Sequence, residues 1–361
     1  MWVVPDSLFF LFPCPPEPPS ISRDSHEDGS VPQPLQHPAE FSKVIGIDAG
    51  GTKTDVALVD ARGTVLATAR GAGMREDEPR SVWLDRLEDL VARVGGTDER
   101  TVVSACMAHL DLPEEEDEFA ALLRTRPWAG DVLVRNDTLA VLRAGVPGEG
   151  VAVVCGTGIN CAGVGADGRQ ARFLAFGDRS GDWGGGNDLG MAALWHAMRA
   201  EDGRGEPTEL VRALLDHLGL GSMREVALRL RDDRLTSLDV RHCTPVLLDV
   251  AAKGDPVATE IVRRQAEEIC SMTRVAMERL GVTERGTTVV LGGSVLAARN
   301  PVLLSAIEEG VAAFSPSSTV LVTDTAPLAG AVLLGLDRLG AGPEPEQAVR
   351  RAVARGAVPR R

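Results

Sequence analysis

The apolar run Val44 to Ile47 breaks at Asp48-Ala49-Gly50-Gly51-Thr52-Lys53 and resumes from Val56 to Val59. Two short apolar runs around a glycine turn predict a β-hairpin. Ala61-Arg62-Gly63 then turns the chain into Thr64 to Ala69, which completes a three-strand meander. About a hundred residues later the arrangement returns as a repeat. Gly150 to Cys155 and Ile159 to Val164 flank Gly156-Thr157-Gly158, and Ala166-Asp167-Gly168 leads into Arg169 to Phe176.

Between the meanders the period changes. Pro79 opens a helix in which Trp83, Leu87, Leu90, Val91 and Val94 repeat at helical spacing and face a core. Thr101 to Met107 reads as a buried strand. Pro113 with Glu114, Glu115, Glu116 and Asp117 marks a second helix start, because carboxylates favour the N-terminal dipole. Asp131 to Arg135 is a short strand that delivers Asn136-Asp137 at its carboxyl end, the edge where open α/β sheets bind ligands. After the second meander the chain is mainly helical: Leu189 to Ala200, Pro207 to Leu218, Met223 to Leu230 and Pro256 to Leu280. Thr288 to Leu291, Pro301 to Phe314, Thr319 to Thr323 and Leu328 to Leu339 then alternate as strand, helix, strand and helix.

The glycine turns carry the candidate chemistry. Gly50 and Gly51 lack Cβ atoms, so backbone N–H groups can close on an anion, while Thr52 and Lys53 add a hydroxyl and a charge. Asp48 suits a hydrated Mg²⁺, which takes few protein carboxylates. The stretch is not a Walker A loop, since Thr precedes Lys and a strand follows. Gly163, Gly165 and Gly168 match a dinucleotide fingerprint only on paper, because Asp167-Gly168 suits a hairpin turn. Asp137 is the candidate carboxylate for deprotonating an acceptor hydroxyl, with helix capping as its plain structural alternative.

Taken in order, Asp48 to Thr54, Asn136-Asp137, Gly156 to Cys161, Gly181 to Gly186 and Gly292 to Val295 resemble the motifs of one superfamily. It is that of actin, heat-shock chaperone ATPases and sugar kinases, and the nearest branch is the BadF/BadG/BcrA/BcrD-type, N-acetylglucosamine kinase-like one. The resemblance runs from about Lys43 to about Gly340. It implies an α/β protein of two ribonuclease H-like, actin-like ATPase lobes: residues 43–145, and residues 146–341 with a helical insertion. ATP with Mg²⁺ would lie in the cleft between the lobes. The implied activity is phosphorylation of N-acetylglucosamine or a related amino sugar or hexose at its 6-hydroxyl, by a cytoplasmic homodimer. The same branch also contains ATPases that act as activators or nucleotide-dependent regulators.

The resemblance also assigns roles. Asp137 is placed as the base. Thr157 and Gly158 look like the second phosphate turn, and Gly292, Gly293 and Ser294 look like the adenosine turn. Asn136, Asp137, Asn160, Cys161 and Asp182 stand near the sugar, with buried filler as the other reading of Cys161 and Asp178 as a competitor of Asp182. The chain departs from the family in having Trp183 for the usual glutamate. It also has Gly71-Ala72-Gly73-Met74-Arg75-Glu76 where relatives carry a sugar-binding asparagine. His109 reads as a surface histidine.

Composition narrows the classes. A chain of 361 residues that is 44% hydrophobic and 25% charged suits two globular domains. Aromatics are 4%, tyrosine is absent and the net charge is −14, which argues against nucleic acid and anionic membranes as partners. The six cysteines show no C-x-x-C spacing and read as reduced, mostly buried thiols. Residues 1–42 are rich in Pro, Ser and acidic residues and read as a disordered tail, and residues 342–361 read as an Arg-rich solvated tail.

Overall fold

The computed structural model describes Leu35 and residues 40–356. The first half comprises strands β1 (Lys43–Ala49), β2 (Lys53–Asp60) and β3 (Val65–Ala72), helix α1 (Arg80–Val94), strand β4 (Thr101–Met107), helix α2 (Pro113–Arg124), strand β5 (Asp131–Asn136) and helix α3 (Asp137–Gly145). The strands pair in the order β3-β2-β1-β4-β5, antiparallel within the meander and parallel from β1 to β5. Val44, Ile45 and Ile47 of β1 are fully buried on both faces of the sheet, as a central strand requires.

The second half opens with β6 (Gly150–Cys155), β7 (Ile159–Val164) and β8 (Gln170–Arg172). Helices α4 (Gly186–Glu201), α5 (Leu210–Leu218), α6 (Met223–Arg231), α7 (Ser237–Ala252) and α8 (Pro256–Leu280) follow. The chain closes with β9 (Thr288–Gly292), α9 (Ser294–Ala297), α10 (Pro301–Phe314), β10 (Thr319–Val322), α11 (Pro327–Arg338) and α12 (Pro343–Ala354). The second sheet has the order β10-β9-β6-β7-β8. Read from β8 it repeats the first sheet, with the β6-β7-β8 meander antiparallel and β6, β9 and β10 parallel.

Three expectations are corrected. The strand expected over Arg169 to Phe176 ends at Arg172, because positive φ angles at Ala175 (56°) and Gly177 (62°) turn the backbone out of extended geometry. Helix α7 escaped the periodicity reading because Pro245 sits inside it and reads as a helix breaker. Thr236 and Asp239 nevertheless form a capping box at its start, a signature visible in the sequence. The expected tail over residues 342–361 is helix α12 from Pro343 to Ala354, with Val349 and Val353 packed against β1 and α11. Residues 357–361 lie outside the described residues, as does most of the expected tail over residues 1–42. Leu35, within that stretch, donates its N–H to Arg338 O at 2.9 Å, and Phe41 packs beside β1 and α11.

Two helices cross between the sheets. Helix α3 follows β5, yet its Leu139, Val141 and Leu142 pack on Ala152, Ala162 and Val290 of the second sheet. Helix α11 follows β10, yet Leu328, Val332, Leu333 and Leu336 pack on Val44, Ala57, Val59 and Val102 of the first. The division at residues 145/146 is therefore crossed by packing in both directions. The two helices touch at Gly330, where an added Cβ would lie 1.8 Å from Ala140 O. Arg143, buried at the end of α3, locks the crossing with hydrogen bonds to Asp337 at 2.7 and 2.9 Å and to Glu346 at 2.8 and 3.2 Å. Among the described residues no helix is long and apolar enough to cross a membrane.

The crossing gives a test whose sign is informative. Glycine to alanine inside a helix ordinarily stabilises by up to about 1 kcal/mol through propensity. At Gly330 the backbone contact reverses this, and Gly330→Ala is expected to destabilise by about 1–3 kcal/mol. Chemical denaturation of the variant would read this as a lower midpoint at unchanged slope.

Candidate active site

Parallel register aligns the carboxyl ends of β1, β4 and β5. Asp48 pairs with Cys106 and Cys106 with Arg135, and one residue on, Ala49, Met107 and Asn136 share a level. Burial pushes the Cys106 thiol well up, and the charges of Asp48, Asp137 and Glu116 act on it in the same direction. Asp48 and Asp137 thus converge on one edge. In the second sheet Val154 of β6 pairs with Gly292 of β9, so Gly156-Thr157-Gly158 and Gly293-Ser294 leave neighbouring strands on the same side. Gly293 lies so close to β6 that a Cβ would sit 2.2 Å from Cys155 O.

Asn136 and Asp137 divide the work that sequence left open. Asn136, 2% exposed, is the N-cap of α3, its Oδ1 accepting from Thr138 N at 3.0 Å. Its Nδ2 donates to Leu110 O at 3.1 Å and Asp111 Oδ1 at 2.8 Å. Asn136 therefore builds the site from beneath. Asp137 is the first helical residue and is partly exposed, so capping does not account for it.

The two sheets meet at this point. Asn160 of β7 donates from Nδ2 to Asn136 Oδ1 at 3.3 Å and to Asp111 Oδ1 at 3.4 Å. Beside them Glu116 of α2 accepts from the Asn136 backbone N–H at 2.7 Å and from Arg172 of β8 at 2.6 Å, and Arg135 lies 3.5 Å from it. Glu116 is almost fully buried, which is tolerable only because these donors surround it.

Other expected residues make contacts of their own. Cys161 neighbours Asn160 on β7 but points to the opposite face, fully buried against α4 and α8, so it fills the core. Asp182 accepts from Ser180 Oγ at 2.5 Å, and Asp178 lies exposed in a short 3₁₀ turn. Lys53 pairs with the buried carboxylate of Asp55, which Arg70 shares. Gly50 N donates to Lys53 O at 3.0 Å, closing the first turn, with Gly51 and Thr52 exposed at its tip. Met74 is buried in the first core, and Arg75 forms an exposed ion pair with Asp77 at 2.8 Å.

Three residues were not anticipated. Asp111 carried no role in the sequence reading. Glu116 was read as one of four carboxylates at a helix start, although it shares a helical face with Phe119, Ala120 and Leu123, and that spacing marks it as buried. His109 is half-buried, not a surface residue: its φ is 62°, its ring lies 6.4 Å from that of Trp83, and burial lowers its pKa. The cysteines described are all free, and burial pushes the Cys155 thiol to about 12.

With this geometry in place, the comparisons decide the family. The BadF/BadG/BcrA/BcrD ATPase family model matches residues 45–335. The chain belongs to that family. It is 27% identical over 316 residues to an N-acetyl-D-glucosamine kinase of Dictyostelium discoideum, covering 81% of this chain and 97% of that protein. An N-acetylmuramic acid/N-acetylglucosamine kinase of Clostridium acetobutylicum is 28% identical over 261 residues, covering 70% of this chain and 85% of that protein. A solved structure from Chromobacterium violaceum aligns at a TM-score of 0.63 and 23% identity, over 82% of this chain and 99% of that one. That likeness establishes the fold of the actin-like ATPases for this BadF/BadG/BcrA/BcrD family member.

Asp111 gives the site a pH signature. Burial, reinforced by Glu115, raises its pKa from 3.8 to about 7. Between those values the folded chain binds more protons than the unfolded one, so this group's contribution to stability falls as pH rises. Asp111→Asn removes that loss. Its melting temperature relative to the parent is expected to be more favourable at about pH 8 than at about pH 5, and a pH-independent difference would contradict the raised pKa.

Proposed function

We propose that this chain is an ATP-dependent sugar kinase of two actin-like lobes, with nucleotide in the cleft between them and N-acetylglucosamine as acceptor, phosphorylated at its 6-hydroxyl. The observation that carries the reading is Asp137, a carboxylate at the edge where the two sheets meet, released from capping by Asn136 and flanked by glycine turns of both sheets. The kinases named above, from Dictyostelium and Clostridium, supply the substrate class.

In this reading Asp137 accepts the hydroxyl proton as the acceptor attacks the terminal phosphoryl group. Gly50, Gly51 and Thr52 cradle phosphate on one side, and Thr157 and Gly158 on the other. A Cβ added at Gly156 or Gly158 would meet nothing within 4 Å, so the second turn leaves open space on its free side. Gly292, Gly293 and Ser294 are proposed to flank the adenosine. Asn160 and Asp182 are proposed to read sugar hydroxyls, with Asn160 held toward the site by Asn136 and Asp111. The acidic edge formed by Asp48 and Asp137, both acting on Cys106, suits a hydrated divalent cation, and Asp48 would hold it. Bound there, Mg²⁺ would neutralise charge on the transferring phosphate.

The family's activator ATPases are less well suited, since their chemistry asks for cysteines at a subunit surface. Cys106, Cys155, Cys161 and Cys243 are buried here and Cys270 is half-buried.

Asp137→Ala is expected to lower kcat by about a hundredfold or more while ATP affinity changes little. A coupled ADP-release assay across N-acetylglucosamine, N-acetylmannosamine, glucosamine, glucose and N-acetylmuramic acid should rank N-acetylglucosamine first. Wild-type-like turnover in the Asp137 variant removes that residue from the role, and no turnover on any sugar by the parent chain removes the kinase reading.

A further inference from the structure

Phosphoryl transfer needs cationic charge held against the phosphates. At the first glycine turn the cation anticipated from sequence is committed, since Lys53 pairs with Asp55. At the second turn a cation arrives from helix α7, the element that sequence periodicity missed. Arg241 donates from Nη1 to Thr157 Oγ1 at 2.6 Å. Among the described residues no carboxylate lies within ion-pair distance of it.

This approach is built into the packing. A Cβ at Gly186 would lie 2.7 Å from Arg241 Cγ, and a Cβ at Gly190, one turn further along α4, would lie 2.0 Å from Val240 O. The two glycines let α7 lie against α4 with the Arg241 side chain passing over the start of α4 toward the turn. Gly186 N donates to Gly156 O at 2.8 Å and Asn187 N to Thr157 O at 3.1 Å. Turn, helix start and arginine are thus one hydrogen-bonded unit. Pro245, which has no N–H, removes the donor that the Arg241 carbonyl would otherwise meet four residues on, loosening α7 at this residue.

We infer that Arg241 binds the phosphate groups of the nucleotide at the second turn. The inference deepens the kinase reading and takes the identity of the nucleotide from it. A guanidinium offers five N–H donors in a planar fork matched to phosphate oxygens. Thr157 Oγ1 engages one of them and fixes the plane, leaving the others for the ligand. Charge-assisted hydrogen bonds of this kind are roughly twice as strong as neutral ones.

The test is calorimetric titration of the full chain with ATP, ADP and adenosine in the presence of Mg²⁺, on the parent, Arg241→Met, Arg241→Lys, Thr157→Val and the Thr157→Val/Arg241→Met double variant. Arg241→Met is expected to weaken ATP and ADP by about tenfold or more and to leave adenosine unchanged, with Arg241→Lys between. The same loss is expected when Arg241→Met is added to Thr157→Val, because the guanidinium itself meets the phosphate. Parent-like ATP and ADP affinity in Arg241→Met overturns the inference. So does an equal loss of adenosine affinity, which indicates structural damage, or silence of the change in the Thr157→Val background, which indicates that Arg241 only orients Thr157. A parent chain that binds ATP but phosphorylates no sugar defeats the kinase reading and leaves this one standing, since the readout is binding.

Discussion

The contact of α3 with α11 is the constraint on which the rest of the structure depends. Each helix is connected to one sheet and buries its apolar face on the other. Neither sheet can complete its core alone, because the side chains that cover it belong to an element delivered by the other half. The contact is close enough that Gly330 admits no side chain, and Arg143 ties α3 to both α11 and α12. Separation of the sheets would expose both apolar faces and strand Arg143 with its carboxylates, a cost far above that of rotation about the crossing. Any relative movement of the two sheets therefore has to turn about these helices.

A pivot of that kind places the floor of the site close to the axis. Arg172 reaches Glu116, and Asn160 reaches Asn136 and Asp111, each linking an element of one sheet to an element of the other. Glu116 also takes the backbone N–H of Asn136, the residue before Asp137. The proposed base is thus fastened to a buried ionic cluster that needs both sheets in contact to be complete. Removing Arg172 from Glu116 would leave a buried carboxylate with one of its compensating donors gone, which is costly in a low-dielectric setting. The arrangement therefore favours close approach of the two sheets at this point.

Much of the frame was legible because it is written in local periodicity. The strand Thr101–Met107 and the helices Pro256–Leu280 and Pro301–Phe314 have the bounds that apolar spacing and proline placement predict. Glycine turns of the two meanders located the hairpin that opens each sheet, and parallel register then placed Asp48 and Asn136-Asp137 at one edge. What was not legible depends on long-range packing. Nothing near Asp111 says that two asparagines from different sheets will converge on it. No local pattern says that Arg172 will lie beside Glu116, or that α11 will return to the first sheet. In helix α12 the arginines read as a solvated tail, while Val349, Ala352 and Val353 form the buried stripe that decides its fate.

The electrostatics of the site follow from the same contrast between local and global. A chain with a net charge of −14 has to receive an anionic nucleotide. At physiological ionic strength screening acts over about 8 Å, so the few groups within reach of the ligand outweigh the total. Near the first turn Lys53 and Arg70 share the buried carboxylate of Asp55, and Asp48 acts on Arg70 as well, so the two cations there are matched by carboxylates. Near the second, Arg241 brings a further positive charge from a helix that has no strand of its own in either sheet. The helical insertion is therefore more than a cover for the second sheet. By packing α7 against the glycines of α4 it carries positive charge to a backbone turn that has none, from an element far from that turn in sequence.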